Sequence, residues 1–257
     1  MDKINVTAVS YLNTKPFLFG LIAKNWDSNL NIELDIPAAC AQKLIEGSAD
    51  IGLVPVATLL QQPTLQVISD YCIGSDGPVR TVSLFAEKPV EELKRIYLDF
   101  HSKTSVELLK ILLRDYWNLS PELIPADPGF IDQIGGDTGA LVIGDRAISL
   151  NQRFEYIYDL SEEWKNWKGL PFVFAVWVSR IDLTDQFLTT FNEALSKGVD
   201  EIDRLIYLMP PTQEGLDLKT YFTKYISYEL DAAKKQALHT FLQAVHGDSI
   251  EVQYLNA

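Results

Sequence analysis

Short, solidly apolar or alternating runs are interleaved with longer amphipathic ones along nearly the whole chain. The short runs predict strands at 4–9, 32–36, 50–54, 64–72, 79–86, 95–99, 139–144, 154–158 and 172–179. Apolar positions recurring every third or fourth residue predict helices at 15–25, 39–46, 55–61, 90–94, 102–116, 128–134, 161–167, 184–208, 214–226 and 230–246. Strand and helix in turn describe α/β layers with largely parallel sheets.

Local punctuation agrees with this pattern. Gly47 stops the helix that contains Leu44 and Ile45, in the left-handed position that ends so many helices. Asp50 then leads into Ile51-Gly52-Leu53-Val54, a buried strand closed by Pro55. Thr104-Ser105-Val106-Glu107 predicts a capping box, with Glu107 reaching back to the Thr104 backbone. Repeats and Pro-, Gly- or Ser-rich linkers are absent from the pattern. The chain reads as one unit, or as two domains that exchange chain more than once.

Composition narrows the function. The 257 residues carry 35 acidic and 22 basic side chains, a net charge of −13. Phosphate-backbone binding needs a basic face, so nucleic acid is excluded as a partner. No apolar run reaches the length of a membrane span. The first residues, Met1-Asp2-Lys3, show no apolar leader, and Cys40 and Cys72 have neither metal nor disulfide-scaffold spacing, which predicts a cytoplasmic protein.

Five segments combine a strand end with small, hydroxylated or cationic residues: 10–14, 55–58, 75–81, 101–105 and 144–146. Ligands of open α/β sheets bind outside the carboxyl ends of strands, so these loops are expected to face one cleft. Each also has a plainer explanation as turn and cap chemistry. Ser10, Asn13 and Thr14 precede a helix starting near Pro16, where free N–H groups suit an anion. Arg80 enters an apolar strand and needs either a ligand or an ion pair with Asp76. No His-Glu-x-x-His, phosphate loop, Gly-x-Ser-x-Gly or dinucleotide fingerprint occurs, so metal, nucleotide and serine-hydrolase chemistry lack support.

Five motifs, in order, resemble one family. They are Val9-Ser10-Tyr11-Leu12-Asn13-Thr14-Lys15-Pro16-Phe17, Ser75-Asp76-Gly77-Pro78-Val79-Arg80-Thr81-Val82, His101-Ser102-Lys103-Thr104-Ser105, Val142-Ile143-Gly144-Asp145 and Gly169-Leu170-Pro171-Phe172-Val173-Phe174-Ala175. Together they resemble the chorismate dehydratases of the futalosine route to menaquinone. The resemblance implies a type II periplasmic-binding-protein-like α/β fold, with one domain from 1–86 plus 175–257 and the other from 87–174. It implies cofactor-free loss of water from chorismate, a small dianion, to give 3-[(1-carboxyvinyl)oxy]benzoate. Arg80, Lys103, Lys15 and Arg146 are expected to supply local positive charge.

The resemblance also implies site roles. Ser10, Asn13 and Thr14 would hold a carboxylate or the leaving hydroxyl, with Tyr11 beside them. Thr81, Arg80 and Ser75 would bind a second carboxylate, while Ser102, Thr104, Ser105 and Gly144 would supply contacts from the opposite domain. Family members often carry a hydroxyl or acidic residue just after Pro55; Val56 and Ala57 supply neither, so Thr58 would substitute. Asp145 and the substrate's own enolpyruvyl carboxylate are alternative bases. A non-catalytic solute-binding protein for an organic anion is the main rival.

Overall fold

Two mixed sheets organise the chain in a computed structural model, which describes residues 3–23, 30–210, 216–248 and 250–255. The chain first builds β1 (Ile4–Val9), α1 (Lys15–Ala23), β2 (Leu30–Asp35), α2 (Pro37–Glu46), β3 (Ile51–Pro55), α3 (Thr58–Gln61) and β4 (Gln66–Ser75). It crosses over to form β5 (Val82–Ala86), β6 (Arg95–Leu98), α4 (Lys103–Ile111), β7 (Glu122–Pro125), β8 (Thr138–Ile143), α5 (Arg146–Leu150), β9 (Tyr156–Asp159) and α6 (Leu160–Lys168). It then returns as β10 (Phe172–Ser179), α7 (Asp185–Asp200), α8 (Ile202–Leu208), α9 (Leu218–Thr220), β11 (Ser227–Glu229), α10 (Ala232–His246) and β12 (Gln253–Tyr254).

The first sheet runs β11-β4-β10-β3-β1-β2, with β12 also on β4; the second runs β7-β6-β8-β5-β9. β1 pairs in parallel with β2 and β3, and β6 pairs in parallel with β7 and β8. The central strands β3, β8 and β10 are buried at every position, which explains their solid rather than alternating apolar runs. Behind the first sheet, Phe17 packs edge-on against Trp177 and Tyr228, and Trp177 against Phe191, all deeply buried. Each such side chain contributes about 1.5–3 kcal/mol through burial. Helices α1 and α7 meet at Gly20 and Gly198, where a Cβ on either would collide with the other helix's backbone carbonyl.

Several expected elements are shorter or divided. The helices expected at 90–94 and 128–134 are single 3-10 turns, Val90–Glu92 and Phe130–Gln133. Both segments are too short to repay a helical nucleus. The helix expected over 184–208 breaks at Glu201 into α7 and α8. Within the segment expected at 214–226, residues 214 and 215 lie outside the described residues; the rest is α9 and a π-helical turn, Tyr221–Tyr225, leading into the unforeseen β11. Residues 24 and 25 of the first expected helix likewise lie outside the described residues.

Two local expectations are corrected. The cap of α4 is Ser102, whose Oγ accepts the Ser105 N–H; Thr104 is inside the helix, and Glu107 pairs with Lys110 instead of reaching back. A boundary after residue 86 would leave β5 with the first sheet, but β5 pairs with β8 and β9 in the second. Likewise all of β10, from Phe172, pairs with β3 and β4 in the first. The chain therefore passes between sheets at 76–81 and 169–171.

Candidate active site

The carboxyl ends of β1, β3, β6 and β8 point towards one place between the sheets, and a cavity lies there. Its polar side chains are Tyr11, Asn13, Thr81, Ser102 and Ser105. Val79, Val82, Ile143 and Phe174 form much of its apolar wall, and Pro37, Pro55 and Gly144 complete its rim. Atom-free space, mouth included, amounts to about 480 Å³.

Hydrogen bonds tie the two halves together around this cavity. The Leu12 N–H donates to both carboxylate oxygens of Asp145, each at 3.2 Å. Tyr11 Oη lies 2.6 Å from His101 Nδ1. The Ala57 N–H donates to Thr104 Oγ1 at 3.0 Å, and the Ala38 N–H to the His101 carbonyl at 3.0 Å. Burial raises the Asp145 carboxyl above its ordinary range, opposed by the Leu12 N–H and by Lys15. Burial also raises the Tyr11 phenol, with Asp99 acting in the same direction, and lowers the His101 imidazole.

A second layer fixes the lining residues. Tyr228, fully inside the first half, donates its hydroxyl to the Asn13 carbonyl at 3.0 Å. The Tyr221 hydroxyl is 3.4 Å from Thr81 Oγ1. Asp159 accepts the N–H groups of Val79 and Arg80 on one oxygen and those of Ser161 and Glu162 on the other, pinning the first crossover to the start of α6. Gly144 has φ +73, and a Cβ there would meet the Tyr11 ring at 2.5 Å. Only glycine allows both that backbone and that contact.

The expected cations do not line the cavity. Arg80 sits in a left-handed turn (φ 67) before β5, with its guanidinium 5.4 Å from the Tyr225 ring centre, and Asp76 pairs with Lys165 instead. Arg146 is bound to buried Asp99 at 2.6 Å. Lys103 reaches Gln61 outside, and Lys15 is exposed. In the first turn of α4, by contrast, the Ser105 N–H is capped by Ser102 Oγ, and the N–H groups of Lys103 and Thr104 stand outside the intrahelical ladder.

Of the residues singled out from sequence, Tyr11, Asn13, Pro55, Thr81, Ser102, Ser105 and Gly144 line the cavity. All five loops thus contribute. Ser10, Thr14, Thr58, Ser75, Arg80, Thr104 and Asp145 are not among its lining residues. Thr14 and Thr58 are buried, the Thr14 hydroxyl donating to Asn13 Oδ1 at 3.4 Å; Ser75 is spent on Ser161 at 2.5 Å, and Thr104 on Ala57. Sequence reasoning missed the supporting groups Asp99, Asp159, Tyr221 and Tyr228. A buried tyrosine or aspartate needs a polar partner, but no spacing along the chain names it. Among the described residues, no group of three or more His, Cys, Asp or Glu side chains is placed to hold a metal ion.

A sequence profile described as menaquinone biosynthesis matches residues 4–246. The chain belongs to the menaquinone-biosynthesis family. Within it, a protein of Thermus thermophilus named chorismate dehydratase is 32% identical over 163 residues, which cover 56% of this chain and 59% of that relative. Among solved structures, an Archaeoglobus fulgidus protein superposes with a TM-score of 0.71 at 14% identity, covering 95% of this chain and 97% of its own. A Candida albicans protein described as having the generic periplasmic-binding-protein fold does so with a TM-score of 0.59 at 10% identity, covering 96% and 91%. This menaquinone-biosynthesis family member therefore has the periplasmic-binding-protein-like α/β fold expected from its motifs.

Proposed function

We propose that the protein removes water from chorismate to give 3-[(1-carboxyvinyl)oxy]benzoate, in the cytoplasm, as a step of the futalosine route to menaquinone. Family membership and the likeness to a chorismate dehydratase support the substrate. The observation that carries the reading is the convergence of all five polar loops on one cavity between the sheets.

The chemistry suits such a cavity. Loss of the ring hydroxyl and the neighbouring ring proton leaves an aromatic ring, so the reaction runs downhill and orientation is the main demand. N–H donors at the start of α4, with the hydroxyls of Ser102, Ser105 and Thr81, hold the carboxylates; Asn13 holds the hydroxyl that leaves. The apolar wall flanks the ring. Among the described residues no acidic side chain lines the cavity, so the ring proton goes to the substrate's own enolpyruvyl carboxylate, with Asp145 serving as a tie between the halves. Each sheet with its helices acts as a lobe, and the crossovers at 76–81 and 169–171 form the hinge through which the substrate is admitted.

The test is direct. Chorismate is incubated with the protein, the ultraviolet spectrum is followed for an aromatic product, and that product is identified by chromatography. Heat of binding without conversion would replace this reading by a solute-binding role, which the fold also serves.

A further inference from the structure

We propose that Tyr11 is the acid that protonates the departing ring hydroxyl, and that His101 is the residue that positions it. This rests on the dehydration reading above. Elimination moves two protons: one leaves the ring carbon for a base, and one must reach the hydroxyl so that water departs rather than hydroxide. The carboxylate named as base accounts only for the first.

The lining residues decide which group supplies the second. The polar side chains there are Tyr11, Asn13, Thr81, Ser102 and Ser105. An amide and three aliphatic hydroxyls hold their protons tightly, whereas a phenol is the strongest acid of the five. Thr81 and the serines also face one another or the protein: Ser105 Oγ is 3.4 Å from Ser102 Oγ, and Thr81 Oγ1 is 3.4 Å from Tyr221.

Tyr11 is held on two sides. Its ring lies against Gly144, where even a methyl group would intrude. Its oxygen is 2.6 Å from His101 Nδ1, with the two rings within 11° of parallel. His101 in turn is gripped by Phe100, edge-on at 4.6 Å, while the Asp99 carboxylate accepts its backbone N–H. This pair spans the two sheets, so it assembles when they close. Burial above all keeps the phenol protonated, with Asp99, Arg146 and Asp145 the charged groups around it.

The proton balance is as follows. His101 keeps its proton on Nδ1 and uses it to donate a hydrogen bond to the Tyr11 oxygen, which leaves the phenolic proton free for the ligand. As the ring C–O bond breaks, its electron pair goes to oxygen, which takes the phenolic proton and leaves as water. The ring C–H electron pair becomes the new ring double bond, and that proton passes to the enolpyruvyl carboxylate. The phenolate, held by His101 Nδ1–H, recovers its proton from that carboxylic acid as product departs.

Two measurements test the assignment. Nitrogen NMR of the unmodified protein should show His101 protonated on Nδ1; protonation on Nε2 alone overturns the proposal whatever the turnover. In kinetics, Tyr11→Phe should lower kcat for chorismate about a hundredfold with KM within about threefold, the range of a lost general acid. His101→Phe should lower kcat about tenfold, and His101→Asn, whose amide N–H falls near Nδ1, should restore it to within about threefold. The Tyr11→Phe, His101→Phe double variant should be no slower than Tyr11→Phe. Undiminished kcat in Tyr11→Phe overturns the acid role while leaving the dehydration reading intact. An unmodified protein inert towards chorismate overturns both.

Discussion

The Leu12 amide aims between the two carboxylate oxygens of Asp145, 3.2 Å from each, across the gap that separates the two sheets. Leu12 begins a 3-10 turn, Leu12–Thr14, whose Tyr11 cap makes no side-chain capping bond. A residue from the other half therefore caps the turn that carries Asn13, and the cap exists only when the halves meet.

That relationship separates two roles for Asp145. Asp145→Asn keeps an acceptor for the Leu12 N–H and should retain chorismate turnover within about tenfold, because this carboxylate does not line the cavity. Asp145→Ala should raise KM or lower kcat further by loosening closure. A thousandfold loss in Asp145→Asn, measured by product formation, would instead make it the base.

His101 makes closure and stability sensitive to pH. Burial, with Arg146 nearby, holds its imidazole below the ordinary 6.5, while Asp99 pulls the other way. The folded state thus prefers the neutral ring. Its contribution is full above about pH 6.5 and is lost as pH falls through the folded value. The urea midpoint of the natural protein should fall more steeply between about pH 7 and 5 than that of His101→Asn; parallel curves would show that His101 does not titrate this way.

Asp159 is the acceptor for four backbone N–H groups at the first crossover. Asp159→Ala strands donors at a buried position, each costing about 1–3 kcal/mol, and should destabilise the protein by roughly 3 kcal/mol or more in urea unfolding. Asp159→Asn should recover only part, since its NH2 faces N–H donors rather than acceptors. A loss under about 1 kcal/mol in the alanine variant would mean that water satisfies the crossover.

Arg80→Ala tests the placement of positive charge. With its guanidinium over Tyr225 and outside the cavity, its removal should leave KM for chorismate within about threefold. A rise of tenfold or more would require Arg80 to swing inward in the bound state.

Much of this molecule was legible from periodicity and punctuation. The solid apolar runs became buried central strands, Gly47 ended its helix with φ 82, and all five polar loops reached one cavity. Those features depend on contacts within a few residues, or on the rule that parallel strands end on the same side. The split at Glu201 and the single 3-10 turns were less legible, because short helices are decided by packing rather than propensity.

Periodicity and motifs specify the α/β layering and the chemistry that the loops can offer. Which of those groups face the cavity follows from how the two sheets pack together. Ser75, Thr104 and Thr14 carry the same hydroxyl as Ser102 and Thr81, yet they are spent on Ser161, on Ala57 and on Asn13. The same packing decides that β5 joins the second sheet, that Arg146 answers Asp99, and that Tyr11 meets His101 ninety residues away. The physical reason is that a polar side chain bonds to whatever the fold brings within about 3 Å, and linear spacing carries no record of that neighbour.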